Sequence, residues 1–186
     1  MKKHLKWLLV FQLAGVYLAA AQEWTVMKNC TLEDNFSNDG DSFHVKYQGR
    51  SLYFRLYFVD SAETNEEFPQ RLNEQADYWK IDSKDALKVG KEAKHFTKNQ
   101  LARPFTIYTQ WKDAKGGSGK RYFAFVTTHS GEDLGELLAA SGLVRVYGAS
   151  TRHPDGTDAN KMFDRLRKLE RSARNHHLGA WSRQYR

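Results

Sequence analysis

A chain of 186 residues, 27 % charged and 40 % hydrophobic, has the length and balance of one folded domain with its own core, and neither a repeat nor a low-complexity tract interrupts it. Its 29 Lys+Arg against 22 Asp+Glu give a formal charge of +7, which favours polyanionic partners. The single cysteine, Cys30, excludes an internal disulfide and a cysteine-built metal cluster.

Met1 to Lys6 is short and basic, Trp7 to Leu18 is apolar apart from Gln12, and Ala19-Ala20-Ala21 places small residues before Gln22. This is the layout of a secretory signal peptide, and the apolar run is short for a bilayer span. The expectation is a leader over 1–21, export to a periplasm or to the outside, and a mature domain over 22–186 with no stable membrane association. Removing 1–21 takes away Lys2, Lys3 and Lys6 and leaves a charge of +4 (26 Lys+Arg minus 22 Asp+Glu). Nothing in the mature chain speaks for an oligomer, so a monomer is expected.

Glu23 to Thr31 reads as a first strand. Ser42 to Tyr47 alternates, with Phe43, Val45 and Tyr47 on one face, and Ser51 to Val59 alternates again through Leu52, Phe54, Leu56 and Phe58. Period two on both sides of Gln48-Gly49-Arg50 predicts a hairpin of half-buried strands. In the polar stretch 61–82, Leu72, Ala76 and Trp79 have the spacing of a short helix. A longer helix runs from a cap at Ser83 to about Leu101, on the stripe Ala86, Val89, Ala93 and Phe96, with Gly90 as its weak point. Two more strands, 104–111 and 121–128, flank a charged, glycine-rich loop. That loop ends GGSGKR but fails the phosphate-loop pattern, with Ala114 in place of the first glycine and Arg121 after Lys120. Asp133 caps a short helix closed by Gly142. Leu143 to Tyr147 is extended, and a helix with a basic outer face follows from Asp158 to about Arg174. Closely spaced strands with a helix inserted after the third predict a mainly β, α+β domain: a five-stranded OB-type barrel with about three packed α-helices.

The chemistry gathers between Asp39 and Glu63. Asp41 and Asp60 stand at hairpin ends and suit an oxygen-preferring cation such as Ca²⁺ or Mg²⁺. Glu63, three residues beyond Asp60, is placed to take a proton from water. Arg55 lies on the non-core face of its strand, and with Arg121 it can grip a phosphate through the planar guanidinium fork. His176-His177 is a weaker metal-binding pair. Together these parts describe metal-assisted hydrolysis of a phosphodiester.

Asp39-Gly40-Asp41-Ser42, Phe54-Arg55-Leu56 and Val59-Asp60-Ser61-Ala62-Glu63 resemble the staphylococcal nuclease (thermonuclease) family, whose pattern is DGDT, RL and VDTPE. The intervals match without insertion. Arg121 before Tyr122-Phe123-Ala124 takes the place of the family's second arginine, and Gly179-Ala180-Trp181-Ser182 is similar to its closing motif. Ser61 stands for Thr, Ala62 for Pro and Lys120 for Gly, and Tyr147 is the nearest counterpart of the family's later tyrosines. The resemblance implies a secreted, Ca²⁺-dependent OB-fold endonuclease that binds one ion and cuts DNA and RNA, single-stranded or locally melted, to 3′-phosphate products. It implies Asp41, Asp60 and the Ser61 carbonyl as metal ligands, Glu63 as general base, and Arg55 and Arg121 as phosphate ligands. The alternative is a non-catalytic OB-fold module that binds nucleic acid or protein.

Overall fold

The computed structural model describes residues 23–114 and 119–184; the leader expected over 1–21 and the centre of the 112–120 loop lie outside the described residues. Five strands close a barrel: β1 (Thr25–Leu32), β2 (Ser42–Tyr47), β3 (Arg50–Leu56), β5 (Phe105–Asp113) and β6 (Arg121–Thr127), in the order β1-β2-β3-β6-β5. All neighbours are antiparallel except β3 and β6, which run parallel with Tyr53 opposite Arg121. This is the OB-type barrel that the alternation predicts. Its interior is the buried set Met27, Cys30, Phe43, Val45, Phe54, Leu56, Ile107, Ala124 and Val126.

One strand differs from expectation. The run 51–59 is not continuous: β3 ends at Leu56, the chain bends at Tyr57-Phe58, and Val59–Ser61 forms a separate β4 paired antiparallel with β7 (Val144–Val146). Phe58 adopts φ +66°, a left-handed conformation unusual for a bulky residue. Two backbone bonds hold it there, its N–H donating to Ala149 O at 2.9 Å and its carbonyl accepting from Tyr147 N at 2.8 Å. Phe58 is fully buried within the bend, so the sequence pattern of Leu52, Phe54, Leu56 and Phe58 continues through the break although Leu56, Tyr57, Phe58 and Val59 are all buried. The bend matters because it carries Asp60 off the barrel and sets it opposite Arg145.

Among the described residues four α-helices pack on the barrel, where about three are expected. The short helix expected near Trp79 is the three-turn α1 (Pro69–Trp79), which opens on a proline at its first turn and ends at Lys80 in the left-handed conformation. Next comes α2 (Ser83–Gln100), capped by Asp82, whose carboxylate accepts from Asp85 N, instead of by Ser83. The short α3 (Leu134–Ala140) is capped by Asp133 and α4 (Ala159–Asn175) by Asp158, and a closing 3-10 helix spans Gly179–Arg183. Val89 and Ala93 of α2, Leu134 and Leu138 of α3, and Met162 and Leu166 of α4 join the barrel residues in one core.

Gly90 and Gly40 show how closely α2 approaches the chemistry-bearing loops. A Cβ on Gly90 would lie 2.2 Å from Glu63 O and 2.6 Å from Ala62 O, and one on Gly40 would lie 2.6 Å from the Ala93 Cβ and 2.8 Å from the Ser61 Cβ. The weak point in the helix pattern is therefore where the loop leading to Glu63 rests on α2.

Candidate active site

Asp41 ends the turn before β2, and its neighbour Ser42 pairs in register with Arg55 of β3. The turn is organised by Asp39, whose Oδ1 accepts from Asp41 N at 3.0 Å and Ser42 N at 2.5 Å, and by Thr97 of α2, which donates to Gly40 O at 2.6 Å. The Asp41 side chain is buried, and each of its oxygens meets at least one donor. Oδ1 accepts from the Ser42 hydroxyl at 2.8 Å, and Oδ2 accepts from Ser61 N at 3.1 Å and lies 3.0 Å from Arg55 Nη2. The same Arg55 nitrogen lies 2.5 Å from Asp60 Oδ1. Asp41 and Asp60, 19 positions apart in the numbering, thus meet on one cationic nitrogen.

Asp60 gathers three guanidinium groups. Besides Arg55, Arg71 of α1 places Nη2 at 2.8 Å from Oδ1, and Arg145 of β7 places Nε at 2.8 Å from Oδ2. Gln75, wholly buried, completes the shell: its Nε2 donates to Asp60 Oδ2 at 3.1 Å and to Ser61 O at 2.9 Å, while its Oε1 accepts from Glu63 N at 2.9 Å. One amide therefore ties together β4 and the loop that bears Glu63. The Glu63 carboxylate meets Arg71, Nε to Oε1 at 3.0 Å. Arg121 approaches from β6. Its Nη1 donates to the Ser42 hydroxyl at 3.3 Å, its guanidinium lies 5.5 Å from the centre of the Tyr53 ring, and its buried Nε has no hydrogen-bond partner within the protein.

The electrostatics follow from this packing. Burial pushes the Asp60 carboxyl up, but Arg55, Arg145, Arg71 and the Gln75 amide outweigh it and hold the group below the usual carboxylate range. Burial pushes the Glu63 carboxyl up, Arg71 opposes it, Asp60 and Asp41 reinforce it, and the group ends above its usual value. Asp39 is driven well above the usual range, first by burial and then by the neighbouring Asp41. Arg55 is held protonated still more firmly than an ordinary guanidinium, chiefly by Asp41.

A cleft of about 330 Å³ opens onto this cluster, and Arg55, Arg71, Arg121 and Arg145 all line it together with Asp60 and Tyr147. Tyr147 is exposed, and the Arg145 guanidinium lies 4.4 Å from the centre of its ring. Asp41 and Glu63 are not in the cleft wall; they are joined to it through Arg55 and Arg71. Five of the six residues singled out from the sequence (Asp41, Arg55, Asp60, Ser61 and Glu63) are linked by the contacts above, and Arg121 joins them through Ser42.

Three members of the cluster escape a reading of the sequence: Arg71, Gln75 and Arg145. Arg71 and Gln75 carry a usable signal, an i,i+4 pair on α1 beside the stripe of Leu72, Ala76 and Trp79. Arg145 stands between two valines of a three-residue strand and gives no local sign of its partner.

Among the described residues, no group of three or more His, Cys, Asp or Glu side chains converges as a metal site. The hard-oxygen set here is smaller: the two carboxylates of Asp41 and Asp60 and the Ser61 carbonyl. It fits a divalent cation in its chemistry, and Arg55 Nη2 acts as a stand-in cation on which both carboxylates converge. The family model described as staphylococcal nuclease homologue matches residues 53–183, a span that holds Arg55, Asp60, Ser61, Glu63 and Arg121. The chain therefore belongs to the staphylococcal nuclease homologue family.

Proposed function

We propose that the protein is an exported, Ca²⁺-dependent nuclease that hydrolyses DNA and RNA, single-stranded or locally melted, to 3′-phosphate products. The observation that carries this reading is the cleft lined by four arginines from α1, β3, β6 and β7, three of them on the buried Asp60, which shares Arg55 with the buried Asp41. Four permanently charged forks around one cavity suit a phosphodiester backbone. Arg55 and Arg121 bind the non-bridging oxygens of the scissile phosphate and stabilise the charge that grows there as the bond order changes. Glu63 takes the proton from the attacking water. Burial, reinforced by Asp60 and Asp41, raises its pKa against the pull of Arg71, which makes it a stronger base than an ordinary carboxylate. Water oxygen bonds to phosphorus, the phosphorus–O5′ bond breaks, and the departing oxygen picks up a proton, which leaves phosphate on the 3′ side. Asp41, Asp60 and the Ser61 carbonyl would hold the ion. When bound, it supplies charge neutralisation and Lewis-acid polarisation at the phosphate.

Export belongs to the same proposal. Residues 1–21 serve as the leader, and the mature chain, beginning near Gln22, keeps the basic balance suited to a polyanion.

Glu63→Gln tests the catalytic assignment. The variant keeps the size of the side chain and loses the base, so turnover on denatured DNA is expected to fall by about 10²–10⁴, with Ca²⁺ affinity changed far less. Turnover equal to wild type would remove Glu63 from the role of base.

A further inference from the structure

Every hydrogen-bonding position of the Asp60 carboxylate is taken. Its two oxygens offer four lone-pair sites, and four donors meet them: Arg55 and Arg71 on Oδ1, Gln75 and Arg145 on Oδ2. A divalent cation can bond Asp60 only by displacing one of these donors.

The four are not equally easy to displace. Moving Gln75 breaks three hydrogen bonds at once and strands buried polar atoms on Asp60, Ser61 and Glu63. Arg145 is fixed opposite Asp60 by the β4–β7 register, and its side chain is 9 % exposed. Arg55 is 13 % exposed and is also bound to Asp41. Arg71 is 41 % exposed, so water can receive its guanidinium as it leaves. The same group also touches Glu63 through Nε, so leaving Asp60 loosens its hold on Glu63.

We propose that Arg71 determines the affinity of the cation site: it is a built-in counter-ion that competes with the divalent cation for Asp60 and holds Glu63 until that cation is bound. This rests on the nuclease reading above. Occupation of the cation site and release of Glu63 are then linked through one side chain, and each favours the other.

The test is Ca²⁺ binding by the full mature chain, followed by titration calorimetry, in wild type, Arg71→Met, Arg71→Lys and Arg121→Met. Methionine keeps an apolar stem and removes the guanidinium. Arg71→Met is expected to bind Ca²⁺ about tenfold tighter, the worth of one part-exposed charge-assisted hydrogen bond. Arg121 lines the same cleft but bonds Ser42 instead of Asp60, so Arg121→Met reports the through-space effect of deleting one charge. Its gain is expected to be smaller. Equal affinity in wild type and Arg71→Met, or a gain no larger than that of Arg121→Met, overturns the role of Arg71 and leaves the nuclease reading standing. If Arg71→Met fails to fold in a thermal melt, Arg71→Lys carries the test. An ammonium lacks the fork that spans both carboxylates, and affinity no tighter than wild type overturns the proposal. Absence of Ca²⁺ binding by wild type and all variants overturns the cation reading itself.

Discussion

The carboxylates of Asp41 and Asp60 are each 1–2 % exposed, and so deep a charge is tolerated only because each oxygen is met by a donor. His153 shows the same balance in milder form away from the cleft. Its Nδ1 lies 2.8 Å from Asp155 Oδ1, its Nε2 lies 3.9 Å from Asp133 Oδ2, and its ring packs edge-on against Phe125, with Glu136 and Arg165 lining the same hollow. Burial pushes the imidazole down, but the hydrogen bonds and charges of Asp133 and Asp155 outweigh it and raise its pKa above the ordinary 6.5. Folding therefore gains from the protonated form. That contribution is full below 6.5 and is lost as pH rises through the higher folded-state value. The melting temperature is expected to fall as pH rises above 6.5, and His153→Asn should flatten that slope. Parallel wild-type and variant curves would contradict it.

At the scale of elements, the loop bearing Glu63 is positioned by the surface of α2. Gly90→Ala separates this account from helix propensity. Propensity alone favours alanine inside a helix by about 0.5–1 kcal/mol. Contact with Glu63 O at 2.2 Å and Ala62 O at 2.6 Å predicts the opposite sign. We expect a loss of about 1–3 kcal/mol, read as a lower melting temperature, together with reduced turnover. A more stable variant with full turnover would contradict the packing. The same elements explain what the sequence can reveal. Asp41, Arg55, Asp60 and Glu63 are legible because one hairpin and the residues just after it carry them all, and period-two alternation reports a hairpin well. The bend at Tyr57-Phe58 is hidden because Phe58 is buried on either path. Hydropathy scores Gln75 as a surface residue, so only its i,i+4 spacing from Arg71 points to it, although it is wholly buried and its amide is spent on three hydrogen bonds. Arg145 is hidden because its pairing with Asp60 spans 85 positions. The barrel itself is readable, since its strands bury alternate residues. Full-length α1 is not, since its buried apolar residues are only Leu72, Ala76 and Trp79, while Gln75 and the part-exposed Arg71 serve the site.

Across the whole molecule, the closed barrel supplies a rigid floor on which β3 and β6 run parallel and bring Arg55 and Arg121 to one cleft. α1 and β7 add Arg71 and Arg145 from outside the barrel. Arginine is thus concentrated around the buried Asp60 in a chain whose overall charge is only modestly positive, so the local field at the cleft is what favours a polyanion. The central claim is that this field and the acid pair together hydrolyse phosphodiesters. Incubating the mature chain with denatured DNA, in Ca²⁺ and in a chelator, and analysing the product ends tests it most directly. The account predicts cleavage in Ca²⁺, none in chelator, and fragments that carry 3′-phosphates; DNA left intact with Ca²⁺, Mg²⁺ and Mn²⁺ alike would contradict it.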